Sequence, residues 1–372
     1  MALRRTLLRG GLGGLAAAAV LGGGAAWWIA RRDGAAYAAL ARETWRPPDA
    51  ASRPVLRELV RCATLAPNSH NTQPWRFVTV AGGLRVLPDP ARRTPVVDPD
   101  DHHLVASLGC AVETMVQAAP ALGLAAEVEV AADGGATLHL VAAPQRDGPM
   151  AAAVARRRST RLPFDPAPLP AADLAVLEAA GGADPRVALL LLDAPAQRAA
   201  LSELVLAGNS VQLRDAGFVA ELTHWIRFSA GAALARRDGL FAGASGNPVL
   251  PEPIGRAIFP HVFTLAAETD RMARQLAGSA GFAVFAAARD DPDHWLAAGR
   301  AAQRFCLAAT TLGLRTSWVN QPVEVPALRP VLAAWLGLGG RRPDLVLRFG
   351  RGPDLPPSLR RSLEEVLVEQ GA

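Results

Sequence analysis

Pro67-Asn68-Ser69-His70-Asn71-Thr72-Gln73-Pro74-Trp75 sets five amide or hydroxyl side chains within six residues, between two apolar stretches. Before it, residues 56–65 repeat apolar side chains at helical spacing. Pro67 disfavours the helical conformation at Ala66, so that helix stops there. After it, Trp75-Arg76-Phe77-Val78-Thr79-Val80 alternates as a strand, Gly82-Gly83 turns it and residues 84–87 return. The corner between helix and hairpin is therefore polar, neutral, and able both to donate and to accept hydrogen bonds. Such groups suit the edge of a heteroaromatic ring and a polyol chain. The same composition also serves a plain capped turn.

The rest of the chain reads as helices around short strands, an α+β plan. Residues 104–119 pattern as a buried helix, followed by strands at 127–130 and 137–141 joined by a turn at Asp133-Gly134-Gly135. A second unit opens near residue 151, with a helix over 171–180, a strand over 187–192 and a long helical region from Pro195 to about Ser229. Residues 238–261 are rich in Gly and Pro without clear periodicity, and read either as a lid or as a surface excursion. A strand over 282–288, an apolar helix over 294–312, a strand over 344–349 and a helical tail over 358–368 complete the pattern. The organisation expected is a signal or anchor over 1–38, a linker over 39–54 punctuated by Pro47, Pro48 and Pro54, a first half over 55–150 and a second over 151–372.

Composition excludes several classes. Half the 372 residues are apolar and one fifth charged, which is globular rather than disordered. There is no lysine, so a Walker lysine and a lysine Schiff base are both absent. The net charge of +5 is small and the arginines are scattered among acids, without the basic stripe and interleaved aromatics of a nucleic-acid binder. Cys62, Cys110 and Cys306 are far apart and odd in number, which fits buried thiols rather than disulfides or zinc.

The N-terminus follows the order of an export signal: Arg4-Arg5-Thr6-Leu7-Leu8-Arg9, an apolar Gly- and Ala-rich run to Ala30, then Arg31-Arg32. The paired arginines and mildly apolar run resemble a twin-arginine signal, which implies a periplasmic or inner-membrane-tethered protein. Ala36-Tyr37-Ala38 offers a cleavage site, while residues 7–30 are also long enough for an uncleaved membrane anchor. Seven glycines between Gly10 and Gly24 weaken the alternative of a buried N-terminal helix.

Three further clusters bear on chemistry. In Arg157-Arg158-Ser159-Thr160-Arg161, the side chains of Arg157, Ser159 and Arg161 share one side of an extended segment. Two guanidinium groups and a hydroxyl suit a phosphate, although a solvated basic loop has the same composition. Arg360-Arg361 adds a basic pair near the C-terminus. Asp98-Pro99-Asp100-Asp101-His102-His103 carries metal-ligand types, but its place before a helix favours capping, and no metal site is expected. His139, His224, His261 and His294 have no ligand spacing.

Taken together, the Pro67–Trp75 segment, Arg157 to Arg161, and Leu312-Gly313-Leu314-Arg315-Thr316-Ser317-Trp318 resemble the nitroreductase superfamily of FMN-dependent oxidoreductases. In ordinary members the arginine-serine segment precedes the Pro-Ser segment, and a homodimer brings them together. Here the order is reversed and each occurs once, which resembles the long, fused branch typified by mycobacterial Acg proteins. The resemblance implies two fused halves mimicking the dimer, one FMN site between them, and a monomer sufficient to form it. Carried over by position, Arg157, Ser159 and Arg161 would hold the phosphate and ribityl chain, helped by Arg360 or Arg361. Pro67, Asn68, Ser69, Asn71 and Gln73 would line the ring, with Gln321 or Asn320 near its N5. Asn68 stands where the family has Ser, and Asn320-Gln321-Pro322 replaces the commoner Pro-x-Glu-Gly turn. The partners implied are a small-molecule electron donor and an electron-poor acceptor such as a nitro compound or quinone; storage of FMN without turnover is the alternative. The chemistry would be borne by the flavin rather than by a catalytic side chain.

Overall fold

The computed structural model describes residues 29–52, 54–131 and 134–369. Arg4-Arg5, most of the apolar run after them and Asp133 of the expected turn lie outside these residues. In chain order the elements are α1 (residues 29–44), α2 (Val55–Thr64), β1 (Trp75–Val80), β2 (Gly83–Pro88), α3 (His102–Ala118), β3 (Leu124–Val130), β4 (Ala136–Ala142), α4 (Pro149–Val154), α5 (Ala171–Gly181) and β5 (Val187–Leu192). An excursion follows: α6 (Pro195–Arg214), α7 (Ala216–Trp225), β6 (Ile226–Arg227), α8 (Ala230–Arg236), β7 (Leu240–Phe241), α9 (Glu252–Val262) and α10 (Leu265–Ala277). The chain closes with β8 (Gly281–Ala287), α11 (Pro292–Thr311), β9 (Arg315–Trp318), α12 (Gln321–Glu324), α13 (Arg329–Trp335), β10 (Arg342–Gly350), α14 (Leu363–Val366) and β11 (Leu367–Val368).

The α+β expectation holds, and the two larger of the three sheets among the described residues repeat one plan. One sheet has the order β11-β1-β2-β4-β3, the other β5-β8-β10-β9. Apart from β11, the strands correspond one to one: an antiparallel pair, a long helix, then two more antiparallel strands. The long helices are α3 and α11, buried on almost every side. They cross where each carries a glycine: a methyl on Gly109 would strike the Leu296 carbonyl, and one on Gly299 the Ala106 carbonyl. This close approach is why two glycines are tolerated mid-helix. Gly299→Ala should therefore cost about 1–3 kcal/mol by overpacking, read as a lower urea midpoint at unchanged slope. An unchanged midpoint would contradict the closeness of the crossing.

The halves differ in what joins their first two strands. Between β1 and β2 there is a tight turn, with Gly82 in the left-handed region at φ 75°. Between β5 and β8 lies the whole excursion from α6 to α10. The helical region expected from Pro195 to about Ser229 is two helices that reach Trp225, divided at Asp215, whose extended backbone ends α6 and whose carboxylate caps α7 at the Gly217 and Phe218 amides. The expected unstructured stretch 238–261 contains β7, a short 3-10 turn and α9. Pro253 occupies a first-turn position in α9 and Pro260 lies near its end, so the punctuation masked a helix.

The tail also departs from expectation. Only one helical turn, α14, forms, and β11 then pairs parallel with β1, so the second half completes the first half's sheet. The boundary expected at residue 38 falls inside α1, which runs through 44, so residues 39–44 are not linker. Tyr37, Ala41 and Trp45 are buried, and their polar atoms reach the tail: Tyr37 Oη donates to Pro357 O at 2.7 Å and Trp45 Nε1 to Ser358 O at 2.8 Å. All three cysteines are buried free thiols. The segment His102–Leu122 is long and apolar enough to cross a membrane, but it is the buried core helix of this fold.

Candidate active site

The polar corner at 67–75 is held in an unusual backbone. His70, Asn71 and Gln73 all have positive φ, at 46°, 55° and 56°. Non-glycine residues adopt this region at a cost of order 1–3 kcal/mol each, so three in four residues need firm support. Asn71 Nδ2 donates to Gly239 O (3.0 Å) and Leu359 O (3.2 Å), and Gln73 Nε2 donates to Arg237 O (2.9 Å). The Arg361 amide donates to Gln73 Oε1 (2.8 Å), and the Arg360 guanidinium donates to Asn71 Oδ1 (2.8 Å) and to backbone carbonyls at 64–66. Asn68 Oδ1 accepts from the Gln73 amide at 2.8 Å, closing the turn on itself. Excursion and tail thus grip the corner from two sides.

Beside it lies a cavity of about 640 Å³. Pro67, Asn68, Ser69 and His70 form one wall, Arg161 stands at another, and Asn320 and Gln321 approach from the turn after β9. The excursion supplies an apolar cover that includes Phe218, Leu222, Phe228, Phe259 and Met272. Ser159 bridges to Thr316 in parallel and the Thr160 amide donates to Thr316 O, so 157–161 does run extended along β9.

Only part of the expected set reaches the cavity. Pro67, Asn68, Ser69, Arg161, Asn320 and Gln321 line it; Asn71, Gln73, Arg157, Ser159, Arg360 and Arg361 do not. The expected fork is split because Arg157 is buried within the protein. It donates to Leu65 O at 3.2 Å and to Ser159 Oγ at 3.3 Å, and lies over the Trp45 ring. Arg360 also packs on Trp45, and Arg361 Nη1 reaches Asp89 at 3.4 Å. These arginines brace the structure behind the cavity rather than face the void.

Arg161 differs from them. It makes no hydrogen bond or ion pair among the described residues, and burial, with Arg271 nearby, lowers its pKa to about 10. It therefore remains a half-buried cation at the cavity with no protein counter-charge, which favours an anion. Burial, reinforced by Arg161, pulls His70 down to about 4, so this imidazole is neutral at physiological pH. Four of the residues lining the cavity carry a buried side-chain atom without a hydrogen-bond partner: His70 Nδ1, His103 Nδ1, Asn209 Nδ2 and Gln321 Oε1. Buried polar atoms left unpaired cost about 1–3 kcal/mol each, so a polar group brought within their reach would be favoured.

Sequence reasoning missed His103, Asn209, Gln212 and Glu324 of this lining. The signal at Asn209 and Gln212 was two amides three residues apart on α6, whose buried Leu201 and Val205 lie on the same helix. Asp98 meets the capping expectation: its carboxylate accepts from the His103 amide (3.1 Å) and the Leu104 amide (2.9 Å).

Fold and site together define an α+β protein with two like-ordered larger sheets and a largely apolar cavity that has one polar wall and the Arg161 guanidinium beside it. The nitroreductase family matches residues 154–351, just over half of the 372, and the chain belongs to that family. The chain is 29% identical over 343 residues to Mycobacterium tuberculosis NAD(P)H nitroreductase Rv3131, covering 84% of this chain and 90% of the relative. It is 27% identical over 331 residues to NAD(P)H nitroreductase acg of the same organism, covering 84% and 95%. Among solved structures it is similar to the FMN-dependent nitroreductase NfnB from Mycobacterium smegmatis in complex with NADPH (TM-score 0.37, 16% identity, 56% of this chain and 92% of that one). It is also similar to the FMN- and NADPH-dependent NfnB from a Sphigopyxis strain (TM-score 0.38, 18% identity, 60% and 99%).

Proposed function

We propose that the chain is an FMN-binding oxidoreductase that passes electrons from a small donor to an electron-poor acceptor such as a quinone or nitro compound. The observation that carries this reading is the partnerless Arg161 cation beside the polar corner, at the edge of a cavity whose lining residues carry four orphaned polar atoms. The residues fit the cofactor: Arg161 would hold the phosphate, while Asn68, Ser69, Asn209 and Gln321 would meet the polyol and the ring edge. Once bound, FMN supplies hydride chemistry that no side chain here could perform. The apolar cover from the excursion would exclude water from the reacting face.

One such site per chain, formed between two fused halves, is part of the proposal; the matching strand orders support it, and a monomer would suffice. We further propose export or tethering through the N-terminal segment. The burial of Tyr37 favours an uncleaved anchor, since cleavage at 36–38 would cut α1 within its packed length. The test is anaerobic mixing of purified protein with NADH, NADPH or dithionite. Bleaching of a flavin band by NAD(P)H and its recovery on adding a quinone is the result expected. Bleaching by dithionite alone would favour FMN storage, and a protein that cannot be loaded with FMN would overturn both.

A further inference from the structure

Reduction of a quinone consumes protons as well as electrons, and one wall of the cavity holds groups arranged to supply one. His102 Nε2 and His103 Nε2 each lie 3.3 Å from the Asp344 carbonyl oxygen, which can only accept, so both nitrogens carry hydrogen. His102 Nδ1 faces Asp100 at 3.1 Å and Asp98 at 3.3 Å, so it also donates. His102 is therefore an imidazolium: burial opposes its charge, but the bonds to Asp100 and Asp98 outweigh it and lift the pKa to about 8.

His103 is in the opposite state. Burial and the adjacent His102 charge pull it down to about 3, so it is neutral and its Nδ1 bears a lone pair. That lone pair has no hydrogen-bond partner and lies 3.8 Å from Glu324 Oε1. The same nitrogen lies 4.0 Å from Asp98 Oδ1, so Glu324 is the second carboxyl brought against one buried imidazole, and its neutral acid form avoids a second negative charge there. Glu324 also accepts from Gln212 Nε2 at 2.6 Å, so its other oxygen is already engaged. The side chain keeps 18% of its surface accessible and lines the cavity. The groups facing it are His102, His103 and Asp98 from α3 and the segment before it, Gln212 from α6 and Glu221 from α7. Burial, with Asp98 and Glu221 adding to it against Gln212 and His102, raises the Glu324 pKa to about 7.

From this geometry we infer that Glu324, positioned by Gln212 and His103, is the acid that protonates the acceptor in the cavity. The inference rests on the flavin reading above. In the step, a quinone gains two electrons and one proton, as a hydride equivalent, from flavin previously reduced by a nicotinamide donor. Its carbonyl oxygen gains the second proton from Glu324; the Glu324 O–H bond breaks as the hydroxyl of the hydroquinone forms, and solvent returns the proton to the carboxylate. The acid form is the active one, so the rate falls as pH rises through about 7.

Two measurements on the FMN-loaded chain test this. Stopped-flow reoxidation of pre-reduced protein is followed with a quinone and, separately, with ferricyanide, which takes electrons without a proton. In Glu324→Gln the quinone rate should fall at least tenfold further than the ferricyanide rate and lose its decline above neutral pH. Glu324→Asp, which keeps an acid, should retain that decline. Independently of turnover, infrared titration should show a protonated-carboxyl band that disappears near pH 7 and is missing in Glu324→Gln. Equal losses with both acceptors, or no such band, would overturn the assignment while leaving FMN binding intact. A chain that cannot be loaded with FMN would instead remove the reading beneath it.

Discussion

Arg161→Ala should weaken FMN binding by between about 30- and 1,000-fold, corresponding to ~2–4 kcal/mol for truncating one member of a buried charge pair. The reason lies in the contrast among the arginines. Arg157 and Arg360 spend their guanidinium groups on backbone carbonyls and on Trp45, whereas Arg161 has no protein partner and faces the cavity. An anion beside it would gain a charge-assisted bond in a half-buried setting. The pH dependence follows. The cation is the binding form; burial works against its charge, but a guanidinium keeps its proton across the working range, so affinity should hold unchanged through neutral pH. Equilibrium dialysis of the apoprotein with FMN measures both effects. Arg157→Ala serves as the contrast: it should lower the urea midpoint more than it lowers affinity in the folded protein.

Arg360→Ala carries the largest expected cost in stability, about 3 kcal/mol or more, because it empties a buried site and leaves two buried acceptors without a donor. Those two are Asn71 Oδ1 and the Thr64 carbonyl, while the carbonyls of Leu65, Ala66 and Leu359 keep one donor each, from Arg157, Asn68 and Asn71. They hold the left-handed corner against the tail, so the loss should loosen residues 68–73 before it unfolds the sheets. Hydrogen exchange resolved by segment would report faster exchange at that corner, alongside a lower denaturant midpoint. Protection of the corner equal to that in the parent protein would contradict its role as a clamp.

How far the sequence carried the reading depends on the range of each signal. The helix before Pro67, the β1–β2 hairpin and the core helices α3 and α11 were legible because local period and punctuation determine them. The break at Asp215 and the helix α9 were not. A capping aspartate inside an apolar pattern reads as one helix, and prolines at 251, 253 and 260 read as loop. The pairing of β11 with β1 was beyond reach, since period 2 does not name a partner nearly 300 residues away.

The site was legible in the same uneven way. Alternation placed Arg157, Ser159 and Arg161 on one side of an extended segment; the bridge at Ser159 agrees with the extension, but only Arg161 lines the cavity. It could not tell that the protein itself, through Leu65 and Trp45, fills the space beside Arg157 while leaving the space beside Arg161 open. Asn71 and Gln73 were chosen for their polarity, which the structure spends on holding the corner's backbone. Glu324 escaped notice, and His103 was weighed only as a metal ligand, because their chemistry arises from burial and mutual distance, neither of which is written in local sequence.

The central claim is that this cavity holds one FMN per chain. Titrating apoprotein with FMN while following the quenching of flavin fluorescence tests it most directly. The account predicts a single break at one FMN per chain, abolished in Arg161→Ala at the same concentrations. A break at two per chain, or quenching undiminished in Arg161→Ala, would contradict it.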